Sequence, residues 1–419
     1  MTAQRIGLIA PSWLPNCGGG EQYEHRLAQA LKKRGWEIKV FAGTPEREGE
    51  DNGSIKAKRF GGNHGFMRRT WQNYFRKGEM QALREMGQHY AFNEAAACWV
   101  KAEGLRLVLV GTVYGAVRQI EARELYAQLK TLGVYVGVLQ YDLAEVVSNA
   151  LVKIYRDLEC TWEEAAKRLE IQLKKVLQRE GELAAYYTIG SSLFFRPDFV
   201  VTCSKWVARF VDPCGVSKVK TLHPLIESEY WSTLSGQGRP LARRTILMVN
   251  PQGRKNPQAM AELMVHGSSE WTFRVLKGGW GDGFAKFEGY VARMGELVTR
   301  RIEKVDYVSD MRMAYRAADL VFFPSLLEGY GMTAVEPMFQ GVPVVSSNYP
   351  AVLEAVGDGA ATFCPYRSTR KERIARVAEV LANPEQWRER SLERSQYLAR
   401  RQETELAEME SFLNGYLES

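Results

Sequence analysis

The chain has 419 residues, of which 45% are hydrophobic and 25% charged, and its formal net charge is +7. At ~150 residues per domain, this length predicts two or three globular domains, and the composition excludes a disordered, collagen-like or coiled-coil chain. The mild positive charge favours anionic partners without choosing between a nucleotide, a lipid surface and a nucleic acid.

Short apolar runs in the first half of the chain have the length of buried parallel strands. These runs are Arg5–Ala10, 37–41, 105–110, 134–139 and Phe199–Thr202. Between the first two runs, a loop that ends in Gly18, Gly19 and Gly20 leads into a predicted helix at 21–34. A longer helical stretch includes residues 162–178. Because strands alternate with helices, we predict a doubly wound parallel sheet of the α/β class.

The strand pattern restarts after a turn-rich break at residues 224–244. The predicted strands of the second half are Thr245–Val249, Thr272–Leu276, Leu320–Phe323 and 342–346. Residues 385–417 read as one or two charged helices. The sequence therefore predicts two similar α/β units of about 200 residues each.

The densest group of chemically informative residues lies between residues 323 and 345. The order there is strand, glycine-bearing loop, helix, glycine and strand. Gly329 and Gly331 would let the backbone approach a ligand, and the first amides of the helix, at Met332 and Thr333, could bind a diphosphate. Glu328, in the loop, and Glu336, expected about two turns into the helix, offer carboxylate oxygens to sugar hydroxyls. For two acids alone, a solvated helix surface is the competing interpretation.

This segment resembles the E-x7-E signature of retaining glycosyltransferases of the GT-B fold, especially glycosyltransferase family 4. Other parts of the chain are similar to the same family: residues 6–21, 199–204, 215–217, 222–224 and 354–359, and also 312–321, which resembles the helix and strand before the signature. The resemblance implies two Rossmann-like domains that face a cleft. It also implies that Glu336 binds the ribose of a sugar nucleotide, that Glu328 binds the donor sugar, and that residues 329–333, Tyr330 included, surround the diphosphate.

Lys255 matches the lysine that binds the diphosphate in this family, and its charge would stabilise the leaving group. An exposed loop cation is the alternative interpretation. The family usually has Gly-Arg about five residues before that lysine, where this chain has Val249 and Asn250. Arg254 could supply the missing charge.

A histidine that the family often has after its strand at 134–139 is absent, and Gln140, Tyr141 and Asp142 stand there. Tyr141 and Asp142 would then contact the sugar or the acceptor, or simply cap the next helix. The glycine loop at 18–20 lacks the G-x-G-x-x-G spacing of nicotinamide-binding proteins. We expect it to face the diphosphate and the acceptor, although a tight turn before a helix explains the glycines equally well.

Residues 56–77 are rich in Lys and Arg, with aromatic residues interleaved. The composition suits peripheral contact with a membrane, an anionic acceptor or single-stranded nucleic acid, and also a solvated face beside core aromatics. No D-x-D or H-E-x-x-H motif occurs, so we expect neither a metal nor another cofactor. Apolar runs are too short to span a membrane, and Pro11 and Pro15 interrupt the first one, so we expect no signal peptide. We expect a cytoplasmic protein, either free in the cytoplasm or peripheral at the inner face of the membrane.

From these observations we predict an acceptor domain at 1–225, a donor domain at 226–395 and a final helix at 396–419 that packs back on the first domain. The predicted activity is retaining, metal-independent transfer of a sugar from a UDP- or GDP-sugar to a hydroxyl of a glycan, a lipid-linked glycan or a small molecule. The alternatives are a sugar-nucleotide binding protein without turnover, a glycosyltransferase that acts on modified nucleic-acid bases, and a hydrolase or epimerase.

Overall fold

The computed structural model describes residues 4–10, 13, 19–43, 55, 57–59, 79–111, 119–143, 145–189, 197–211, 218–232, 244–251, 253–278, 283–306, 308 and 310–419. The chain divides into two compact units. The first unit contains Met1–Leu225 together with Thr404–Ser419, and the second contains Ile226–Glu403.

The first unit is built on a parallel sheet. Its strands are β1 (Arg5–Ala10), β2 (Glu37–Ala42), β3 (Ala57–Arg59), β4 (Leu107–Gly111), β5 (Tyr135–Gln140), β6 (Phe199–Thr202) and β7 (Val219–Thr221). Their order in the sheet is β3-β2-β1-β4-β5-β6-β7. The helices of this unit are α1 (Gly19–Lys33), α2 (Glu79–Ala102), α3 (Gln119–Thr131), α4 (Glu145–Asp157), α5 (Trp162–Ile189) and α6 (Lys205–Val211).

The second unit repeats this arrangement. Its strands are β8 (Thr245–Val249), β9 (Thr272–Leu276), β10 (Ile302–Val305), β11 (Leu320–Phe323), β12 (Val344–Ser347) and β13 (Ala361–Phe363), in the order β10-β9-β8-β11-β12-β13. The helices are α7 (Ser228–Ser232), α8 (Pro257–His266), α9 (Gly283–Val291), α10 (Glu296–Thr299), α11 (Met311–Arg316), α12 (Met332–Val335), α13 (Pro350–Val356) and α14 (Arg370–Ala382). One helix, α15 (Pro384–Glu418), ends the chain.

The central strands are apolar on both faces because helices cover both sides of each sheet. Every residue of β4 and of β11 is buried. In each sheet the strand order reverses once, between β1 and β4 in the first unit and between β8 and β11 in the second. Open α/β sheets bind ligands beyond the carboxyl ends of the strands at such a point. The topology therefore marks one ligand position in each unit.

The predicted α/β class is confirmed, and so is the residue range of most interior strands. Five predicted strands have the observed bounds: β1, β6, β8, β9 and β11. All four strands that the sequence analysis omitted are edge strands, namely β3, β7, β10 and β13. These edge strands are only three or four residues long, and β3 and β10 each carry two charged residues, so no continuous apolar run marks them.

Other boundaries differ from the prediction. The helix at 162–178 continues to Ile189, and residues 385–417 form a single helix. Of the basic aromatic segment 56–77, the described part is Ala57–Arg59, which forms β3 and pairs in parallel with β2. The rest of that segment lies outside the described residues. Over the described residues, no helix is both long enough and apolar enough to cross a bilayer.

Asp319 joins the beginnings of the two central strands of the second unit. The backbone N–H of Thr245 donates to Asp319 Oδ2 at 2.7 Å, and the N–H of Asp319 donates to the carbonyl of Thr245 at 2.8 Å. Both residues are buried. The carboxylate therefore satisfies a buried backbone donor at the place where β8 and β11 start side by side.

Replacing Asp319 by Ala should lower the free energy of unfolding by about 1–3 kcal/mol, because the buried N–H of Thr245 loses its acceptor. The urea midpoint of the intact protein, followed by tryptophan fluorescence, measures this loss. Asp306→Ala, at an exposed position in the same unit, is the matched control and should leave the midpoint unchanged. Equal midpoints for the two variants would contradict the assigned role of Asp319.

Candidate functional site

Two loops meet beyond the carboxyl ends of β8 and β11, where the strand order of the second unit reverses. The first loop follows β8 and ends in a 3₁₀ turn, Gly253–Lys255. The second follows β11 and runs to Gly331. The backbone N–H of Leu326 in the second loop donates to the carbonyl of Arg254 in the first at 2.8 Å. The two loops are thus fixed to each other by their backbones.

Lys255 and Glu328 form an ion pair across these loops. The side chains are only 13% and 8% exposed. The Lys255 ammonium also lies 4.9 Å from the centroid of the Phe323 ring, the last residue of β11. The structure therefore brings together the two residues to which the sequence analysis gave the donor-sugar and diphosphate roles.

The charges around Glu328 keep it ionised. Burial by itself would raise the pKa of this carboxyl, but the positive charges of Lys255 and Arg254 and the hydrogen bond from Lys255 outweigh burial, so the pKa lies below its ordinary value. Arg254 is exposed, and its charge still acts on Glu328. Within the described ranges, no three His, Cys, Asp or Glu side chains are grouped so that they could hold a metal ion.

Asn250 sits directly after β8, in the left-handed region with φ of 53°. Its N–H donates to the carbonyl of Leu276 at 2.8 Å. Its side chain fills the space that a Cβ at Gly278 would need, because that Cβ would come within 2.2 Å of the amide carbon. Asn250 therefore shapes the turn that leads from β8 towards Lys255.

The glycine-bearing loop has the backbone that the sequence predicts. Gly331 has a φ of 108°, which favours glycine, and α12 begins at the next residue. The first amides of α12, those of Met332 and Thr333, have no partner within the helix. Gly329 and Tyr330 are buried beside them, while Met332 and Thr333 are half-buried.

The helix of the signature is shorter than predicted. It has one α-helical turn, Met332–Val335, and Glu336 opens a 3₁₀ turn that ends at Gln340. Pro337 explains the change, since proline has no N–H and its ring clashes with the carbonyl four residues earlier. Glu336 therefore lies about one turn into the helical segment, and not two turns as expected.

Glu336 is 8% exposed, and its Oε2 accepts a hydrogen bond of 2.8 Å from the hydroxyl of Tyr315. Tyr315 lies on α11 and is fully buried. The sequence analysis placed this tyrosine only in a helix before the signature and gave it no role. Its spacing to Glu336 carries no local signal, because the contact depends on how α11 packs against the 3₁₀ turn.

The predicted glycine loop of the first unit is wrong in part. Gly19 and Gly20 are the first two residues of α1, and Gly18 lies outside the described residues. A Cβ at Gly20 would meet the Tyr141 ring at 3.1 Å, whereas nothing lies within 4 Å of one at Gly19. Of these two glycines, only Gly20 therefore permits a close approach between the helix and an aromatic ring.

Tyr141, directly after β5, donates its hydroxyl to Oε1 of Glu24 on α1 at 2.6 Å. Tyr141 therefore reaches back to α1, although the sequence analysis had it contacting substrate or capping the next helix. The carbonyl of Asp142 accepts from the side-chain amide of Gln140 at 2.5 Å. Glu24 is fully buried and was not identified from the sequence. Gly111 leaves space for its carboxyl group, because a Cβ at position 111 would lie 1.9 Å from Oε1 of Glu24.

Burial favours the neutral form of the Glu24 carboxyl. Burial raises its pKa well above the ordinary value, the hydrogen bond from Tyr141 opposes this, and the nearby charge of Glu21 adds to it. Burial, together with Glu24, also raises the pKa of Tyr141. Beside the strand-order reversal of the first unit, burial therefore favours the uncharged forms of an acid and a phenol.

Part of the chain is similar in sequence to known glycosyltransferases. Residues 296–397, which include Glu328 and Glu336, match the sequence profile of the family described as "Glycosyl transferases group 1". D-inositol 3-phosphate glycosyltransferase from Mycobacterium sp. (strain JLS) is 30% identical over 156 residues, which are 34% of this chain and 35% of that protein. The same-named enzyme of Mycobacterium tuberculosis (strain F11) is 27% identical over 155 residues, 34% and 32% of the two chains. The matched region therefore spans about a third of these relatives.

Solved structures match the chain over nearly its whole length. Anabaena Alr3699/HepE in complex with UDP has a TM-score of 0.63 at 13% identity and covers 98% of this chain and 100% of that one. Sucrose-phosphate synthase from Thermosynechococcus elongatus has a TM-score of 0.64 at 15% identity and covers 99% of each. At such identities the likeness establishes the fold. The predicted fold, two Rossmann-like parallel-sheet domains of the GT-B type, is confirmed.

We expect Glu24→Gln to change how stability depends on pH. In the folded protein the pKa of Glu24 is raised above the ordinary 4.5, so the folded state keeps a proton that the unfolded state loses. The contribution of this proton to the free energy of unfolding is therefore fully present below the ordinary pKa. It declines with rising pH, by up to ~1.4 kcal/mol per pH unit, until the carboxyl of the folded protein ionises. Glutamine does not ionise, so the free energy of unfolding of the variant should decrease less than that of the wild type as the pH rises.

Thermal unfolding midpoints from about pH 5 to about pH 8 test this expectation. Glu94→Gln, at an exposed position on α2, is the matched control and should follow the wild-type curve. A Glu24→Gln curve parallel to the wild-type curve over this range would show that Glu24 does not hold a proton in the folded state.

Proposed function

We propose that the protein is a retaining glycosyltransferase, resembling glycosyltransferase family 4, that moves a sugar from a UDP- or GDP-sugar to a hydroxyl acceptor. The observation that carries the proposal is the Lys255–Glu328 pair at the strand-order reversal of the second unit. The family match over residues 296–397 supports it, and so do fold neighbours described as UDP complexes. The acceptor is a glycan, a lipid-linked glycan or a small molecule.

The proposed chemistry is stabilisation of a leaving diphosphate. As the glycosidic bond breaks, negative charge grows on the phosphate oxygen, and Lys255 with the amides of Met332 and Thr333 would stabilise it. Arg254 adds positive charge near by, as its effect on Glu328 indicates. In this mechanism the charge of the diphosphate would be neutralised by these protein groups without a metal ion.

Glu328 and Glu336 would bind different parts of the donor: Glu328 its sugar and Glu336 its ribose. Glu328 interacts with Lys255 through Oε1, and a carboxylate can accept further hydrogen bonds, which sugar hydroxyls supply. Tyr315 fixes Oε2 of Glu336, so Glu336 can present its other oxygen to ribose hydroxyls in one orientation. The acceptor would attack on the face from which the nucleotide leaves, and the protein contributes positioning and charge.

The resting ion pair has a consequence for binding. Lys255 is neutralised by Glu328 before any donor arrives, so the diphosphate must share the ammonium with a carboxylate. Glu328 thereby keeps Lys255 in place and at the same time opposes the arriving anion. Binding of the bare nucleotide and transfer of the sugar should therefore respond in opposite directions when Glu328 is neutralised.

Incubation with UDP- and GDP-sugars, with chromatographic detection of free nucleotide and of the sugar product, tests the proposal. Release of nucleotide together with a glycoside of unchanged anomeric configuration is the expected result. Binding without release of nucleotide would indicate a binding protein. Free sugar or an isomerised donor as the main product would indicate a hydrolase or an epimerase.

Lys255→Ala should reduce turnover by roughly 100- to 1,000-fold, as loss of one donor to a developing oxyanion does, and should weaken nucleotide binding much less. Glu328→Gln should also reduce turnover but should bind UDP or GDP at least as tightly as the wild type, because a charge that repels the diphosphate is gone. Single-turnover kinetics and calorimetry measure the two quantities. Weaker nucleotide binding in Glu328→Gln would refute the shared-lysine arrangement.

Glu336→Ala should weaken nucleotide binding by roughly 1.5–3 kcal/mol, the usual effect of a lost hydrogen bond to a charged group. Tyr315→Phe should weaken it by about 0.5–1.5 kcal/mol, because Glu336 keeps its charge but loses its orientation. Calorimetry with UDP and GDP provides both values. Glu393→Ala, exposed on α15, is the control, and unchanged affinity in Glu336→Ala would refute the ribose assignment.

A further inference from the structure

The loop between Glu328 and α12 contains a tyrosine between two glycines. Gly329 and Gly331 leave the backbone on both sides of Tyr330 with more conformational freedom than other residues would. Tyr330 itself is only 4% exposed. If this loop presents amides to a ligand, the ring of Tyr330 is what can hold it in one conformation.

Arg401 on α15 reaches that ring. One of its terminal nitrogens, Nη2, donates to the hydroxyl of Tyr330. Its guanidinium carbon also lies 5.8 Å from the centroids of the Tyr330 and Tyr397 rings. The two partners are 71 positions apart in the sequence, and both belong to the second unit.

A second arginine fixes α15 at this place. Arg394 donates to the carbonyls of Glu354 at 2.7 Å and Ala355 at 3.0 Å, near the end of α13. Its guanidinium carbon lies 4.6 Å from the centroid of the Tyr397 ring. Arg394 therefore anchors this part of α15 to the backbone of α13, and Arg401, about two turns further along the helix, contacts Tyr330.

The Tyr330 hydroxyl stays neutral at ordinary pH. Burial raises the pKa of Tyr330 to about 12, in spite of the opposing charge of Arg401. A neutral phenol oxygen accepts from a guanidinium without an ion pair being formed. The contact is therefore a directional hydrogen bond, and it fixes the position of the Tyr330 ring.

We propose that Arg401 is a positioning residue for the donor site, acting through Tyr330 on the loop of residues 328–331. It holds the Tyr330 ring, and with it the flanking glycines, so that the amides that open α12 and the carboxylate of Glu328 are already placed for the diphosphate and sugar of a nucleotide sugar. The inference rests on the proposed function, because it assigns Arg401 to the same donor site.

A double-mutant cycle tests this role. Tyr330→Phe removes one oxygen, Arg401→Ala removes the donor, and the double variant removes both. We expect each single change to weaken UDP or GDP binding about three- to tenfold, the range of one hydrogen bond, and the double variant to be no weaker than the singles. Arg401→Lys, which keeps a donor, should recover part of the affinity.

Arg400→Ala is the matched control, because Arg400 is the exposed neighbour on the same helix. It should leave nucleotide affinity and donor kcat/KM at wild-type values. Thermal unfolding of each variant separates misfolding from a local effect. If Arg401 only fastened α15, Arg401→Ala would lower the unfolding midpoint and leave nucleotide affinity unchanged, and Tyr330→Phe would bind like the wild type.

Two failures can be told apart. If the wild type binds neither UDP nor GDP and consumes no UDP- or GDP-sugar, the proposed function is refuted. If the wild type binds nucleotide and Arg401→Ala and Tyr330→Phe bind it equally well, or if their losses simply add in the double variant, only the role of Arg401 is overturned.

Discussion

Lys255 and Glu328 are both largely withdrawn from water, and each would be costly to keep charged there without the other. Their pairing requires that two loops, 73 positions apart in the sequence, end at the same place. That requirement is met by the neighbouring positions of β8 and β11, by the backbone bond from Leu326 to Arg254, and by the Asp319 carboxylate at the opposite ends of the same strands. The ion pair thus depends on the strand order, and the proposed donor site depends on the ion pair.

The two units have related topologies but different electrostatics at the corresponding place. In the second unit the strand-order reversal has a cation, an ionised carboxylate and the free amides of a short helix beside it. In the first unit the same position has Glu24 and Tyr141, and burial raises the pKa of both side chains. One arrangement suits a diphosphate, whereas in the other burial favours the uncharged forms of an acid and a phenol. Similar folds therefore present different chemistry, and the chemistry has to be argued from the side chains.

The sequence predicted the interior of both sheets well, because a strand buried on both faces leaves a continuous apolar run. It failed at the sheet edges, where β10 and β3 are short and carry charges that read as loop or surface. It also placed Gly19 and Gly20 in a loop, since glycine before a helix usually marks a turn. The structure instead uses Gly20 to bring α1 against the Tyr141 ring.

For the candidate site, Glu328, Lys255 and Glu336 were found from a resemblance to a family signature. Other residues that position side chains near the two strand-order reversals could not be found in that way. Tyr315, Arg401 and Glu24 reach their partners across tertiary packing, at separations of 21, 71 and 117 positions. No local periodicity records such contacts, and each of these residues has an ordinary alternative as a helix-surface or core residue.

The fit between Glu24 and Gly111 also constrains how this protein can evolve. The carboxyl group occupies the volume that any side chain at position 111 would need, so the two positions cannot drift independently. A lineage could acquire alanine or serine at 111 only after residue 24 had become shorter, and that change would also remove the acceptor of the Tyr141 hydroxyl. Among homologues, positions 24, 111 and 141 should therefore covary as a group.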